Sequence, residues 1–131
     1  MDFMTGLKRT DYCGDFTAKD CGREVVVAGW VQRQRDLGAL IFVDLRDRTG
    51  IVQLAFDDTT EKSLFDKAST LHSEYVVMAE GKVRIRSSIN KEIPTGDIEI
   101  EVTSLKILGK SETTLKFSDY ILCVKKFVRL F

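Results

Sequence analysis

With only one histidine, His72, the chain cannot build a His-rich metal site. That residue follows a helical run and reads as a solvated side chain rather than a catalyst. Cysteine is almost as scarce. Cys13, Cys21 and Cys123 are odd in number and scattered, with no CxxC pair, so reduced thiols are expected in place of a disulfide or zinc framework. Charge of one sign is also missing, since Lys plus Arg and Asp plus Glu number 20 each and the net charge is zero. Proteins that hold nucleic acid by bulk electrostatics are normally basic, so any such contact must come from a local cluster. No apolar run approaches the ~20 residues of a membrane span, and nothing resembles a signal peptide. The cytoplasm is the expected compartment, with no membrane partner. A Gly-rich phosphate loop, an HExxH motif and a spaced Ser/His/Asp or Cys/His set are all lacking. The carboxylate pairs Asp57-Asp58 and Asp44/Asp47 fall in turns, where capping and turn formation explain them.

What remains is a chain of 131 residues, 44% hydrophobic and 31% charged, with room for one modest core. Residues 1–22 are polar and broken by Gly14 and Gly22, and read as an N-terminal extension. Residues 23–108 read as the domain, and residues 109–131 as a hinge or tail. Extended runs are expected at 24–35, 39–46, 51–57, 75–86 and 97–108. Residues 60–71 carry Leu64, Phe65, Ala68 and Leu71 at helical spacing, with Thr59 or Thr60 placed to cap the start. Asp47-Arg48-Thr49-Gly50 is a hairpin turn. In the fifth run the apolar parity shifts from Ile98, Ile100 and Val102 to Leu105 and Ile107, which predicts a bulge near Thr103-Ser104. The polar loop 87–96 holds the only proline, Pro94. An all-β chain with one short helix, ordered β-β-β-α-β-β, is the pattern of a five-stranded OB-fold barrel, which binds oligonucleotides or oligosaccharides on one face.

Period-two logic sorts the faces. Ile41, Val43 and Leu45 point inward, as do Val52, Leu54 and Phe56. Phe42, Asp44 and Arg46 point outward, with Ile51, Gln53 and Ala55. Pairing 46 with 51 and 44 with 53 keeps both apolar faces together and sets Phe42 diagonal to Gln53. An aromatic ring beside an amide suits a single-stranded base, which stacks on one and is read by the other. Alternatively, Phe42 covers a small apolar patch with Leu40 and Ala55. In the first run Val25, Val27, Gly29 and Val31 share a face, and Arg33 and Arg35 continue that parity. In the fourth, Val77, Ala79, Val83 and Ile85 alternate against Glu80, Lys82, Arg84 and Arg86. These arginines suit phosphate contact and stacking, or a solvated face balanced by Glu80, Glu99 and Glu101. Glu99 repels phosphate, yet a carboxylate accepts well from the adjacent N–H donors of guanine. It serves equally as an ion-pair partner for Arg84 or Arg86.

The block from Gly29 to Gln53, with RDLG at 35–38 and RDRTG at 46–50, resembles the N-terminal domain of bacterial aspartyl-tRNA synthetases. Thr10-Asp11-Tyr12-Cys13-Gly14, Gly81-Lys82-Val83-Arg84-Ile85-Arg86 and Thr95-Gly96-Asp97-Ile98-Glu99-Ile100 resemble the same family, over residues 9–117 in all. The resemblance implies binding of the tRNA(Asp) anticodon stem-loop, with its bases G, U and C. Phe42 matches the stacking aromatic, Gln53 the reader of the central uracil and Glu99 the reader of guanine. Arg33, Arg35, Arg84 and Arg86 match loop-contact positions, and Asn90 an asparagine of the loop between the fourth and fifth runs. That loop is shorter here than in familiar members, and Ser87 or Ser88 stands where a second asparagine is usual. In the family, ATP and Mg2+ belong to a catalytic domain whose motifs this chain lacks, so no cofactor is expected in it, and aminoacylation is not expected of it alone. The full enzyme of that family is a homodimer. Two other readings compete: a free-standing OB protein that binds single strands without sequence preference, and a protein-interaction domain docking through residues 121–131.

Overall fold

The computed structural model describes residues 9–87 and 89–109; the tail at 121–131 and Cys123 lie outside them. Five strands, β1 (Glu24–Asp36), β2 (Ile41–Asp47), β3 (Gly50–Phe56), β4 (Val76–Ile85) and β5 (Ile98–Gly109), enclose the core, with helix α1 (Lys62–Ser69) between β3 and β4. They form a closed barrel in the order β1-β2-β3-β5-β4. Every pairing is antiparallel except that of β3 with β5. The inner faces are the expected ones: Val25, Val27 and Val31 meet Ile41, Val43 and Leu45, then Val52, Leu54 and Phe56, Val77, Ala79 and Val83, and Ile98, Ile100 and Val102. Ala68 and Leu71 join from the helix and the residues after it. A smaller apolar cluster of Val26, Ala28, Trp30, Val76 and Met78 occupies the opposite faces of β1 and β4.

The β2–β3 hairpin has the expected register, with Arg46 opposite Ile51 and Asp44 opposite Gln53. Buried Asp47 makes the turn. Its Oδ1 accepts from the Thr49 N–H at 2.7 Å and the Thr49 hydroxyl at 2.6 Å, and its Oδ2 from the Cys13 N–H at 2.8 Å. The same bond ties the N-terminal segment to the barrel. That segment contains two 3₁₀ turns, Cys13–Asp15 and Ala18–Asp20, and sends Cys13 and Phe16 into the core. Burying a side chain such as Phe16 stabilises by about 1.5–3 kcal/mol, enough to hold a segment that has no strand of its own. Burial, and then the neighbouring Asp47, push the Cys13 thiol well above its ordinary value, so it stays a neutral core residue.

Two bulges matter. Thr103 is unpaired between Ser104 opposite Glu80 and Val102 opposite Gly81, at the expected place. The second, in β1, departs from the expected parity. Val31 lies opposite Leu45 and Arg33 opposite Asp44, so Gln32 is the extra residue. Beyond it the faces exchange: Arg33 and Arg35 turn outward, while Gln34 turns towards the helix and donates to the carbonyls of Ala68 at 2.9 Å and Ser69 at 3.2 Å.

Three further expectations are corrected. The helix is shorter than 60–71, and its N-cap is Glu61. Thr59 and Thr60 are held by Asp57 instead: Thr59 donates to its Oδ1 through both N–H and hydroxyl, and Thr60 Oγ1 accepts from its N–H. Ile85 is 51% exposed despite its inward parity, because it ends its strand.

Candidate nucleic-acid interface

The outer face of β2 and β3, the ends of β1 and β4, the start of β5 and the loop between the last two strands enclose a cleft of about 490 Å³. Arg33, Arg35, Phe42, Gln53, Arg86, Asn90 and Glu99 line it. The β1 bulge supplies the two arginines of that strand. The parallel β3–β5 pairing sets Gln53 directly beside Glu99, although the two are far apart in sequence.

Gln53 is buried and is the hub of the site. Its Oε1 accepts from Arg35 Nη2 at 2.8 Å and from Arg86 Nη2 at 2.6 Å, and its Nε2 donates to Glu99 Oε1 at 2.9 Å. Guanidinium groups only donate and a carboxylate only accepts, so the amide has one possible orientation. Arg35 also reaches Asp44 Oδ1 at 3.3 Å, and its Cζ lies 5.5 Å from the centroid of the half-buried Phe42 ring. Burial lowers the Arg86 guanidinium from its ordinary value, and the nearby charge of Arg35 acts in the same direction while Asp44 opposes it. The Nε–H groups of Arg35 and Arg86 are buried without an acceptor among the described residues. Unpaired buried donors are costly.

Arg84 is the sequence-predicted residue that the structure does not bring to the cleft. It sits on the far side of Glu99, donating from Nε to Glu99 Oε2 at 2.7 Å, and pairs with Asp57 at 3.1 Å and Glu101 at 3.2 Å. Burial works to lower its pKa, but the hydrogen bonds to Glu99 and Asp57 outweigh it and hold Arg84 above its ordinary value. Its role here is to anchor Glu99, one oxygen of which it holds while Gln53 holds the other.

The described residues of the loop wall are hydrogen-bonded to one another and to β3. The Arg86 N–H bonds to the Asp97 carbonyl, the Asn90 N–H to Gly96 O at 3.0 Å, and the Gly96 N–H to Ile93 O at 3.1 Å. Asn90 Oδ1 accepts from the Glu92 N–H at 2.9 Å, and the Thr95 hydroxyl bonds across to the Ile51 carbonyl. A Cβ on Gly96 would lie 1.5 Å from the Asn90 carbonyl oxygen, so only glycine permits this turn. The loop also brings Ile89 and Ile93 to the cleft. Sequence reasoning missed both, since a loop has no period to reveal an inward side; their apolar character within a polar stretch was the available signal.

Residues 25–108 match the tRNA anti-codon family, described as an OB-fold nucleic acid binding domain. The Aspartate--tRNA(Asp/Asn) ligase of Caldanaerobacter subterraneus subsp. tengcongensis is 54% identical over 112 residues, covering 84% of this chain and 19% of that protein. The aspartate–tRNA ligase of Ruminiclostridium cellulolyticum is 51% identical over 110 residues, covering 82% of this chain and 18% of that protein. The chain therefore spans about a fifth of the length of the curated relatives it matches. Among solved structures, asparaginyl-tRNA synthetase from Pyrococcus horikoshii complexed with asparaginyl-adenylate aligns with a TM-score of 0.67 at 30% identity, over 81% of this chain and 23% of that one. Barrel, cleft and kinship agree: the chain belongs to the anticodon-binding OB-fold family, in the branch found in aspartate–tRNA ligases.

Proposed function

We propose that the cleft reads the GUC anticodon of the aspartate tRNA, with Phe42 stacking on a base, Gln53 addressing the central uracil and Glu99 the first-position guanine. The observation that carries this reading is the fixed polar row beside an accessible ring. Gln53 keeps one amide proton beyond its bond to Glu99, and Glu99 keeps lone pairs beyond its bonds to Gln53 and Arg84. The edges of uracil, guanine and cytosine carry the complementary carbonyl, imino and amino groups. In this reading the chain's share of the reaction is recognition: it holds the anticodon while ATP- and Mg2+-dependent aminoacylation takes place on another part of a homodimeric cytoplasmic ligase.

Replacing Glu99 with Gln tests the base assignment. Exchanging an acceptor for an amide donor against a guanine N–H should cost about 1–3 kcal/mol, the range for an unsatisfied buried polar group. The loss is expected with a GUC stem-loop and should shrink when the first base is changed, at one fixed salt concentration. An equal effect on both loops would reduce Glu99 to a structural partner of Arg84 and Gln53. A wild-type domain indifferent to anticodon sequence would instead favour non-specific single-strand binding.

A further inference from the structure

Outside the cleft, β2 continues along its outer face from Phe42 and Asp44 to Arg46, and then into the turn at Arg48. Successive outward positions on a strand are about 7 Å apart, so Arg46 lies one step beyond the cleft floor and Arg48 further still. Arg46 Nε bonds to Gln32 Oε1, and Gln32 itself lines the cleft. Arg48 donates to the Tyr12 hydroxyl at 3.1 Å and stacks on its ring, 5.0 Å from the centroid. Arg9 lies 4.0 Å from the same centroid. Arg33, exposed at the cleft mouth, completes the run on β1.

None of Arg33, Arg46 and Arg48 is paired with a carboxylate among the described residues, whereas Arg23 and Arg84 are tied to two and three carboxylates respectively. The acidic residues of β2 are already engaged. Asp44 faces Arg35, and Asp47 is turned inward onto Cys13 and Thr49. A neutral chain has thus kept a line of uncompensated guanidinium groups leading out of its cleft. Stacking on Tyr12 fixes the Arg48 plane and leaves its other donors free, which suits bidentate capture of phosphate.

We propose that Arg46 and Arg48, with Arg33 at the cleft mouth, form a track for the backbone phosphates of the stem that adjoins the bound loop. This assignment rests on the anticodon reading above, because the bases in the cleft set where the stem begins. The track reads no sequence; it fixes the approach of the RNA and adds affinity.

The test is Arg46→Gln combined with Arg48→Gln in the full chain, titrated over a salt series. The RNAs are a GUC stem-loop and a short GUC-containing single strand without a stem. On the stem-loop, affinity should fall roughly five- to tenfold at low salt, and the slope of log affinity against log salt should drop by about 0.7–0.9 for each phosphate that is no longer neutralised. The loss should be independent of the anticodon bases, and the short strand should bind as tightly as to wild type. An unchanged slope on the stem-loop, or an equal loss on both RNAs, would overturn the track. Phe42→Ala, run alongside, should weaken both RNAs. Unchanged affinity of Phe42→Ala for both RNAs would count against base stacking in the cleft, whereas an unchanged salt slope in the double variant would count against the track, so the two failures are read separately.

Discussion

At the residue scale, Phe42 is the simplest group to interrogate. It lies on the outer face opposite Ala55, half-buried, and holds nothing in the main core. Phe42→Ala should leave the fold intact, since Arg35 remains bonded to Gln53 and Asp44. It should weaken GUC stem-loop binding by about 1–3 kcal/mol, the worth of one base–aromatic stack. Calorimetric titration of a variant with a wild-type melting curve is the check; unchanged affinity would assign Phe42 to covering its own sheet. Gln53 carries a different lesson. Its outward direction was legible from alternation alone, but its saturation by two arginines was not, because alternation says where a side chain leaves the backbone and nothing about where long side chains converge. Arg84 shows the same limit. Its parity is correct, and three carboxylates draw it away from the cleft.

Among the elements, β1 and β5 show why one bulge was legible and the other was not. In β5 apolar residues flank the irregularity, so the change of phase is written in the pattern: Ile100 and Val102 before it, Leu105 and Ile107 after. In β1 every residue from Gln32 to Asp36 is polar, and a polar run has no hydrophobic phase to shift. Length and identity are therefore separable at Gln32. Gln32→Ala should change the melting temperature little, because the side chain is exposed. Deleting the residue would remove the bulge yet keep the faces, because Arg33 would then follow Val31 in simple alternation, opposite Asp44, with Arg35 outward and Gln34 still at the helix end. Thermal denaturation of both variants is the measurement. Both should melt close to wild type; a deletion variant that melts far lower would mean that Gln32 is not the extra residue and that the arginines depend on its presence for their direction.

For the whole molecule, the zero net charge conceals a set of carboxylates that folding has committed to partners. Asp57 lies below its ordinary value of 3.8, chiefly through the Thr59 hydroxyl, with the Thr59 N–H and Arg84 adding to it against some burial. Asp20 is lowered by the Thr17 N–H first and then by Arg23. Folded values below unfolded ones give stability that is present above the unfolded pKa and lost as pH falls through the folded one. Urea midpoints should therefore be level near neutrality and fall below about pH 4, with a shallower fall in Asp57→Asn. An identical acid slope in that variant would assign the loss to other groups. The loop between β4 and β5 has a consequence for how this barrel tolerates change over generations. Its backbone is fastened at Arg86, Asn90, Gly96 and Asp97, and Thr95 fastens it across to β3. Residues gained or lost between Arg86 and Asn90 fall between two fastened points, so the loop can drift in length between lineages while Asn90 keeps its address in the cleft.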